Sequence, residues 1–481
     1  MTNERYPLMI PGAGPGPHPL EVNAPFDGAP IATVETADLA AVDRALGTAE
    51  ALYRDRDAWL KPHERIAILE TTSRIMEERA EELAAGAAQE GGKPLLDSRV
   101  EVGRAIEGVK LCIDALRTGA GTEIPMGMNP ASIGRLAFTR REPIGVILAF
   151  SAFNHPLNLI VHQVGPAVAA GCPVIVKPAE ATPLSCFRFV EILREAGLPE
   201  EWCQAFAVAD LEVAGALVTD PRVAFFTFIG SARVGWMLRS RLAPGTRCAL
   251  EHGGAAPVIV AADADVEDAL PRLAKGGLYH AGQVCVSVQR VFAQESIARD
   301  VAQRLAGLAA AMSVGDPTTE ETEVGPLIRP SEVERVGEWV EEAASGGGEL
   351  LTGGERISDS CYRPTVLYDP PADARVSTLE IFGPVICVYP YRELDEAVER
   401  ANALPYAFQA AVFTRDIDAA VRAAERLDAA AVIINDHTAF RVDWMPFAGL
   451  KQSGLGVGGI PYTLRDMQVE KLWVLRSRAL G

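Results

Sequence analysis

The region between Pro143 and Glu251 alternates short apolar runs with helical patterns, and this alternation constrains the fold more than any other feature of the chain. The apolar runs are residues 144–150, 173–177, 203–208, 223–228 and 247–251. Strands that are apolar along their whole length are typical of parallel sheets covered by helices on both faces. The region therefore predicts five parallel strands joined by four right-handed helical crossovers, which is a doubly wound α/β domain.

A second alternating region begins at about Gly254. Its strand-like runs are residues 258–260, 288–292, 385–389, 411–413 and 431–434, and its helical patterns are residues 296–312, 331–345, 394–403 and 416–427. This pattern predicts a second α/β domain. Residues 468–475 alternate weakly and predict an edge strand that pairs with another subunit.

Two helical patterns precede the first sheet. The first has Thr36 as its predicted N-cap. The second begins at Pro62, which suits a first helical turn, and ends at Gly91 and Gly92. Both are interpreted as scaffold.

Charge and cysteine usage argue against several classes of protein. The 481 residues carry 45 Lys+Arg and 64 Asp+Glu, a formal charge of −19, whereas broad nucleic-acid binding needs a basic surface. The eight cysteines are scattered and include no C-x-x-C pair, which indicates a reducing compartment and no metal site. No apolar run is long enough to span a membrane, and the polar N-terminus lacks a secretory signal. We expect a cytoplasmic protein with no nucleic-acid or membrane partner.

Polar residues and one glycine lie at the carboxyl ends of four of the five strands predicted for the first sheet. They are Ser151, Asn154, His155, Lys177, Glu180, Gly230, Ser231 and Glu251. Because the carboxyl ends of parallel strands meet at one edge, we expect a shared site there. Gly230 and the helix start at Ser231 suit a pyrophosphate, and Lys177 with Glu180 suits ribose hydroxyls, where a carboxylate favours NAD over NADP. The alternatives are an exposed ion pair between Lys177 and Glu180 and a simple turn at Gly230.

Three residues have the chemistry of a catalytic site. Cys285 follows a glycine-containing loop, where a thiol can be accessible to a substrate, although most cysteines are small buried hydrophobes. Glu251 can act as a general base whose pKa is raised by burial, or it can be a solvated loop acid. Asn154 can donate its amide N–H to an oxyanion, or it can cap the helix that follows it.

Seven ordered segments give the chain a resemblance to the aldehyde dehydrogenase superfamily over nearly its full length. They are residues 153–156, 176–180, 228–231, 251–254, 282–285, 380–385, and 445–447 with 451–454. Within that superfamily the chain is most similar to the lactaldehyde and phosphonoacetaldehyde dehydrogenase-like branch, and residues 440–446 are typical of it.

The resemblance implies two doubly wound parallel-sheet domains with a small β extension. The implied ranges are 1–121 and 142–252 for NAD binding, 253–440 for catalysis, 122–141 and 462–481 for oligomerisation, and 441–461 for a segment returning to the interdomain cleft. A homodimer or homotetramer is expected.

The resemblance also implies NAD-dependent oxidation of a small polar or anionic aldehyde to its acid, with NADP as a second acceptor. Cys285 would form a thiohemiacetal and then a thioester, Asn154 would hold the oxyanion, and Glu251 would activate water. The implied cofactor contacts are Ser151, Phe153, Lys177, Glu180, Gly230, Ser231, Val234, Glu380 and Phe382. The implied substrate contacts are Arg104, His155 and Arg441, for which a surface helix position or a loop ion pair is the alternative.

The chain departs from the family pattern at two positions that together form a lysine–glutamate pair in many members. Here they are Gln163 and Gly458. Joint loss of both charges avoids leaving one charge buried alone. Proton exit from Glu251 would then use water, His252 or His162. Two alternative functions stay open, namely a CoA-acylating semialdehyde dehydrogenase and a non-catalytic nucleotide-binding protein.

Overall fold

A six-stranded sheet organises the first half of the computed structural model, which describes residues 4–480. Its strands, in spatial order, are Gly454–Leu455, Arg247–Glu251, Val223–Ile229, Val146–Phe150, Val174–Lys177 and Cys203–Ala205. The last five are parallel, which confirms the prediction of a doubly wound sheet. Gly454–Leu455 is antiparallel and was not predicted, because a two-residue strand has no periodicity to detect.

Helices cover both faces of this sheet, as continuous apolar strands require. They are Leu39–Arg54, Pro62–Glu78, Ala80–Gly91, Leu95–Thr118, Asn158–Ala170, Leu184–Glu195, Leu211–Thr219 and Ala232–Arg239. Every residue of the central strand Val146–Phe150 is buried.

Two details of the predicted N-terminal helices are wrong. Thr36 is not an N-cap, because it ends the strand Pro30–Thr36 and donates its hydroxyl to the His18 carbonyl oxygen over 2.7 Å. The cap is Asp38, whose side chain accepts the N–H of Ala41. The second helix does not run to Gly91 unbroken, because Arg79 has a non-helical ψ of 18° that separates two helices.

A seven-stranded sheet forms the second α/β unit, of which five strands were predicted and two, Glu349–Thr352 and Thr365–Tyr368, were not. Its order is Glu349–Thr352, Thr365–Tyr368, Val385–Tyr391, Val288–Gln294, Ala256–Val260, Gln409–Phe413 and Ala431–Ile434. Only Glu349–Thr352 is antiparallel to its neighbour. The accompanying helices are Val266–Leu278, Glu295–Ala311, Pro330–Ser345, Arg375–Thr378, Leu394–Asn402 and Ile417–Arg426. The helix Ile460–Asp466 packs instead on Leu95–Thr118 and Asn158–Ala170 of the first unit.

The remaining strands form three small sheets. Glu4–Tyr6, His18–Asn23 and Pro30–Thr36 form one near the N-terminus, and Tyr406–Ala407 pairs with Leu450–Lys451. Glu123–Ile124, Arg135–Pro143 and Gln468–Arg476 form the third, in which Gln468–Arg476 is an edge strand, as predicted. Short 3-10 helices span Pro130–Ser132, Glu200–Trp202, Tyr279–Gly282 and Arg478–Leu480. In residues 4–480, no helix is long and apolar enough to cross a membrane.

Candidate active site

A cavity of about 850 Å³ lies where loops of the two α/β units meet. The loops that follow strands of the six-stranded sheet form one side, as expected for a doubly wound fold. All but two of the predicted site residues line it, namely Arg104, Ser151, Phe153, Asn154, His155, Gly230, Ser231, Val234, Glu251, Cys285, Glu380, Phe382 and Arg441. Residues that are distant in the sequence therefore share one cleft.

Lys177 and Glu180 are the two predicted residues outside the cavity lining. They form an ion pair with an Nζ–Oε1 distance of 3.4 Å, although the pair is not exposed on both sides as the alternative above supposed. Glu180 is 52% exposed, whereas Lys177 is largely buried and also lies over the Phe150 ring. The Lys177 carbonyl oxygen accepts the N–H of Ser151, so the pair sits directly beside the cavity rim.

Cys285 follows a loop with an uncommon backbone. His280, Ala281 and Gly282 have φ values of 48°, 53° and 67°, and two of these residues are not glycine. Left-handed non-glycine residues store strain and cluster at functional sites. The loop leaves Cys285 half-buried at the cavity wall. Burial raises the pKa of its thiol to about 12, while the Arg441 charge and the backbone N–H of Cys285 act in the opposite direction.

Asn154 is held against the loop that carries Cys285. Its buried Nδ2 donates to the Gln283 carbonyl oxygen over 2.9 Å, which leaves the second amide hydrogen for another acceptor. Asn154 does not cap the helix Asn158–Ala170, because Glu101 does so instead. The Glu101 Oε1 atom accepts the N–H groups of Leu157 and Asn158 over 2.9 and 3.0 Å.

Glu251 ends its strand at the cavity, and burial raises the pKa of its carboxyl group, with Arg441 opposing this effect. Its neighbour His252 is buried between the rings of Phe228 and Trp236 and shares a 2.8 Å hydrogen bond with the Gly230 carbonyl oxygen through Nδ1. His252 therefore packs beneath the Gly230 turn.

Glu380 and Phe382 enter the cavity from the second unit. The Glu380 carboxylate accepts the N–H of Gly254 over 3.1 Å, and burial raises its pKa to about 8. Phe382 has a left-handed φ of 49° and packs edge-on against Phe153, with ring centroids 5.9 Å apart. This contact joins the two walls of the cleft.

A buried cluster of polar and charged residues adjoins the cavity through Arg104 and Arg441, which line it. Asp443 accepts Nε and Nη2 of Arg104 over 3.1 and 2.6 Å, and Nε2 of His162 lies 2.8 Å away. Burial opposes ionisation, but these hydrogen bonds hold the pKa of Asp443 well below its usual range. Arg441 lies 3.3 Å from Nδ1 of His162 and stacks on Phe447. Burial also lowers the pKa of His162 to about 4, so its imidazole is neutral.

The other proposed residues have varied surroundings. His155 lines the cavity, and burial together with the Lys93 and Arg104 charges lowers its pKa well below the usual range. Gln163 donates to the Phe150 carbonyl oxygen and to Thr227, so it ties neighbouring strands together. Trp444, which follows Asp443 directly, is 53% exposed and does not line the cavity.

Sequence reasoning missed several residues of this site. Tyr279 and Arg335 line the cavity, and Asp443 anchors the charged cluster. Asp443 lies two positions after Arg441 in an otherwise apolar segment, and this was the signal that could have revealed it. In residues 4–480, no group of three or more histidine, cysteine, aspartate or glutamate side chains is arranged to hold a metal ion.

Comparison with known proteins identifies the family. Residues 13–472 match the model of the aldehyde dehydrogenase family. A 3-sulfolactaldehyde dehydrogenase from Priestia megaterium is 36% identical over 456 residues, covering 95% of this chain and 94% of its own. Aldehyde dehydrogenase 21 from Physcomitrella patens, in complex with the reaction product succinate, aligns with a TM-score of 0.95 and 34% identity over the whole of both chains.

A glyceraldehyde-3-phosphate dehydrogenase from Methanocaldococcus jannaschii, complexed with NADP, aligns with a TM-score of 0.91 and 35% identity. The alignment covers 95% of this chain and 99% of that one. The family model and these relatives all span both α/β units, so the similarity extends to the whole cleft and not to one domain alone. The chain belongs to the aldehyde dehydrogenase family of NAD(P)-dependent oxidoreductases.

Proposed function

We propose that this aldehyde dehydrogenase oxidises a small polar or anionic aldehyde to its carboxylic acid through a covalent intermediate on Cys285. The observation that carries the proposal is the convergence of Cys285, Asn154 and Glu251 on one cavity. A nucleophile, an oxyanion donor and a general base are the groups that such a reaction requires.

The first step joins the Cys285 sulfur to the aldehyde carbon, and the thiol proton passes to solvent, directly or through Glu251, which leaves Glu251 unprotonated for the later hydrolysis. The carbonyl oxygen becomes an oxyanion, and the free amide hydrogen of Asn154 and the backbone N–H of Cys285 stabilise it. The carbon–hydrogen bond would then break with both electrons, and a dinucleotide held beside Glu380 and Phe382 would supply the hydride acceptor. Cys285 is left as a thioester. Glu251 takes a proton from water, the resulting hydroxide adds to the thioester, and the carbon–sulfur bond breaks to release the acid.

The residues beside the six-stranded sheet fit a dinucleotide. Ser231 precedes the helix Ala232–Arg239 without using its side chain as a cap, so its hydroxyl and the helix N-terminus are available to a pyrophosphate. A Cβ at Gly230 would overlap the Phe228 ring, so a residue without a side chain is required here, and a ligand can approach the backbone closely. Lys177 and Glu180 adjoin this rim and would hold the adenosine ribose. Glu380 and Phe382 would contact the nicotinamide side, and NAD is the preferred cofactor.

Charge at the substrate end supports a small polar or anionic aldehyde. Arg104 and Arg441 line that part of the cavity. Arg104 is hydrogen-bonded to Asp443, whereas Nε of Arg441 lies 3.8 Å from the same carboxylate. His155 adds a neutral imidazole there. Two of the relatives are associated with anionic compounds: one is named a 3-sulfolactaldehyde dehydrogenase, and the other was solved in complex with its reaction product succinate. A panel of carboxylate, sulfonate, phosphonate and neutral hydroxylated aldehydes would identify the substrate.

Replacement of Cys285 tests the mechanism. We expect Cys285→Ala to abolish NADH formation with every aldehyde. Cys248→Ala is a matched control, because Cys248 is also half-buried but lines a different surface pocket. If Cys285→Ala turned over like the wild type, the covalent mechanism would be wrong.

Glu251 separates hydrolysis from acyl transfer. In Glu251→Gln we expect hydride transfer to proceed and the thioester to accumulate, which intact-protein mass spectrometry would detect. Product analysis with and without CoA distinguishes hydrolysis from CoA acylation. Hydrolysis is favoured because Glu251 would have no role if CoA accepted the acyl group.

We assign a separate function to each part of the chain. Residues 1–121 and 142–252 would bind the dinucleotide, residues 253–440 would carry the nucleophile, and residues 441–461 would return to the cleft. Residues 122–141 and 462–481 would form a homo-oligomer, because the edge strand Gln468–Arg476 exposes a run of large apolar side chains. Light scattering of a Leu472→Lys and Val474→Lys double variant would test this. All eight cysteines are free, which supports a cytoplasmic location.

A further inference from the structure

A buried glutamine connects the strand that follows Cys285 to the turn that carries Glu380. Gln289 lies four residues after Cys285 in the strand Val288–Gln294 and is 4% exposed. Its Nε2 donates to the carbonyl oxygens of Leu379 and Val376 over 2.7 and 3.0 Å. Its Oε1 accepts the N–H of Ile381 over 2.9 Å. One side-chain amide thus binds the backbone on both sides of Glu380.

This arrangement fixes a turn that is strained. Phe382 follows Ile381 and has a left-handed φ of 49°, which a non-glycine residue keeps only where its surroundings hold it. Arg335 donates Nη2 to the Ile381 carbonyl oxygen over 2.7 Å, so both backbone polar groups of that residue are bonded.

The same turn touches the loop that precedes the nucleophile. A Cβ at Gly282 would overlap the Gly383 carbonyl oxygen, so the two loops are in direct backbone contact. Gln289 itself does not line the cavity. Any influence on the reaction must therefore pass through the residues that it holds.

We propose that Gln289 is a positioning residue that sets the geometry of hydride transfer by holding Glu380 and Phe382 at a fixed place relative to Cys285. The inference rests on the proposed function, in which Glu380 and Phe382 contact the nicotinamide side of the cofactor. Hydride transfer is sensitive to the separation of donor and acceptor carbons, whereas thioester hydrolysis needs no cofactor geometry.

Two reactions of the same cysteine separate positioning from folding. Oxidation of an aldehyde requires hydride transfer, whereas an activated ester such as p-nitrophenyl acetate acylates Cys285 without it. In Gln289→Met, which keeps the volume and removes all three hydrogen bonds, we expect the single-turnover rate of NADH formation to fall about 10- to 100-fold. The deuterium isotope effect on that rate, measured with a C1-deuterated aldehyde, should rise, while ester hydrolysis stays within about twofold of the wild type.

A matched control comes from the other sheet. Gln204 is fully buried and donates Nε2 to the Ala45 carbonyl oxygen over 2.9 Å, on the helix Leu39–Arg54. Gln204→Met should leave both reactions and the isotope effect unchanged. Gln289→Glu provides a second test, because a buried carboxyl group is protonated at low pH and then keeps one donor and one acceptor. Compared with the wild type at the same pH, its hydride-transfer rate should be close to the wild-type rate at pH 6 and well below it at pH 9.

The proposal is overturned if Gln289→Met keeps the wild-type single-turnover rate and isotope effect. It is also overturned if ester hydrolysis falls as much as NADH formation, because the defect would then lie in Cys285 or in folding. A wild-type enzyme that forms no NADH from any aldehyde would instead refute the proposed function, so the two failures are distinguishable.

Discussion

The Glu251 carboxylate rests against the backbone of Gly458. A Cβ at position 458 would overlap the Oε1 atom of Glu251. The backbone N–H and carbonyl oxygen of Gly458 are both hydrogen-bonded to the backbone of Phe447, so Gly458 cannot easily move away from Glu251. Because residue 458 is a glycine, the space that a side chain would fill is occupied by the carboxyl group of Glu251, the proposed general base.

Gly458→Ala should therefore displace Glu251 and slow hydrolysis of the acyl-enzyme. Because a general base contributes about 10²–10⁴-fold only when correctly placed, we expect steady-state turnover to fall at least about 10-fold. The burst of NADH in the first turnover should persist, and mass spectrometry should detect the acyl adduct. Gly307→Ala is the control, since a Cβ there meets nothing within 4 Å. Loss of the burst as well would contradict this interpretation.

The pKa of Glu380 makes stability depend on pH. Burial raises the pKa of this carboxyl group from 4.5 to about 8, so the folded protein binds a proton that the unfolded chain has released. The free energy of unfolding should therefore fall as pH rises from about 4.5 to 8, by up to about 5 kcal/mol from this group.

Glu380→Gln should remove that part of the pH dependence. Thermal unfolding of the cofactor-free enzyme at pH 5, 6.5 and 8.5 would measure it, and the variant should gain stability over the wild type as pH increases. Glu399→Gln, an exposed change on the helix Leu394–Asn402, serves as the control. A constant difference in Tm between Glu380→Gln and the wild type would be evidence against a buried neutral carboxyl group.

The sheets were predictable because their strands are buried on both faces. Val146–Phe150 has no exposed residue, so its sequence is a continuous apolar run that no solvent requirement interrupts. Gly454–Leu455 was not predictable, because its two residues join the sheet only through pairing with Arg247–Glu251, which is distant in the sequence. Thr36 shows the same limit, since its preference for caps gave way to a place in a strand.

The candidate site was predictable wherever a residue type and its place in a loop beside a strand sufficed. Cys285, Glu251 and Asn154 all line the cavity, although they are far apart in the chain. The partners of these residues were not predictable, because a hydrogen bond between distant residues leaves no local pattern. Glu101, which caps the helix after Asn154, lies 56 residues from its partner Leu157.

Glu180 should control the choice between NAD and NADP. Its half-exposed carboxylate, paired with Lys177, would repel the 2′-phosphate of NADP and accept a free ribose hydroxyl. In Glu180→Gln we expect the ratio of kcat/KM for NADP to that for NAD to rise about 10-fold, at low ionic strength. Glu200→Gln removes an exposed charge from the same α/β unit and should leave the ratio unchanged. An unchanged ratio in Glu180→Gln would place the discrimination elsewhere.

Arg104, which Asp443 holds in place, should select for an anionic aldehyde. Two of its nitrogens are bonded to Asp443, which leaves Nη1 for a substrate anion at the cavity wall. A charge-assisted hydrogen bond contributes about 1.5–3 kcal/mol, so Arg104→Met should lower kcat/KM for a carboxylate aldehyde about 10- to 100-fold. A neutral hydroxyaldehyde of similar size should be affected far less.

Arg222→Met provides the comparison for that variant. Arg222 also donates two hydrogen bonds to one aspartate, Asp220, over 2.9 and 2.7 Å. It precedes the amino end of the strand Val223–Ile229, whereas the cavity lies at the carboxyl ends of the strands. Loss of a buried or half-buried ion pair lowers stability in both variants, so a fall in Tm alone carries no information about the substrate. Only Arg104→Met should change the ranking of anionic against neutral aldehydes. If both aldehydes lost the same fraction of kcat/KM, Arg104 would be a support for Asp443 and His162 and not a substrate contact.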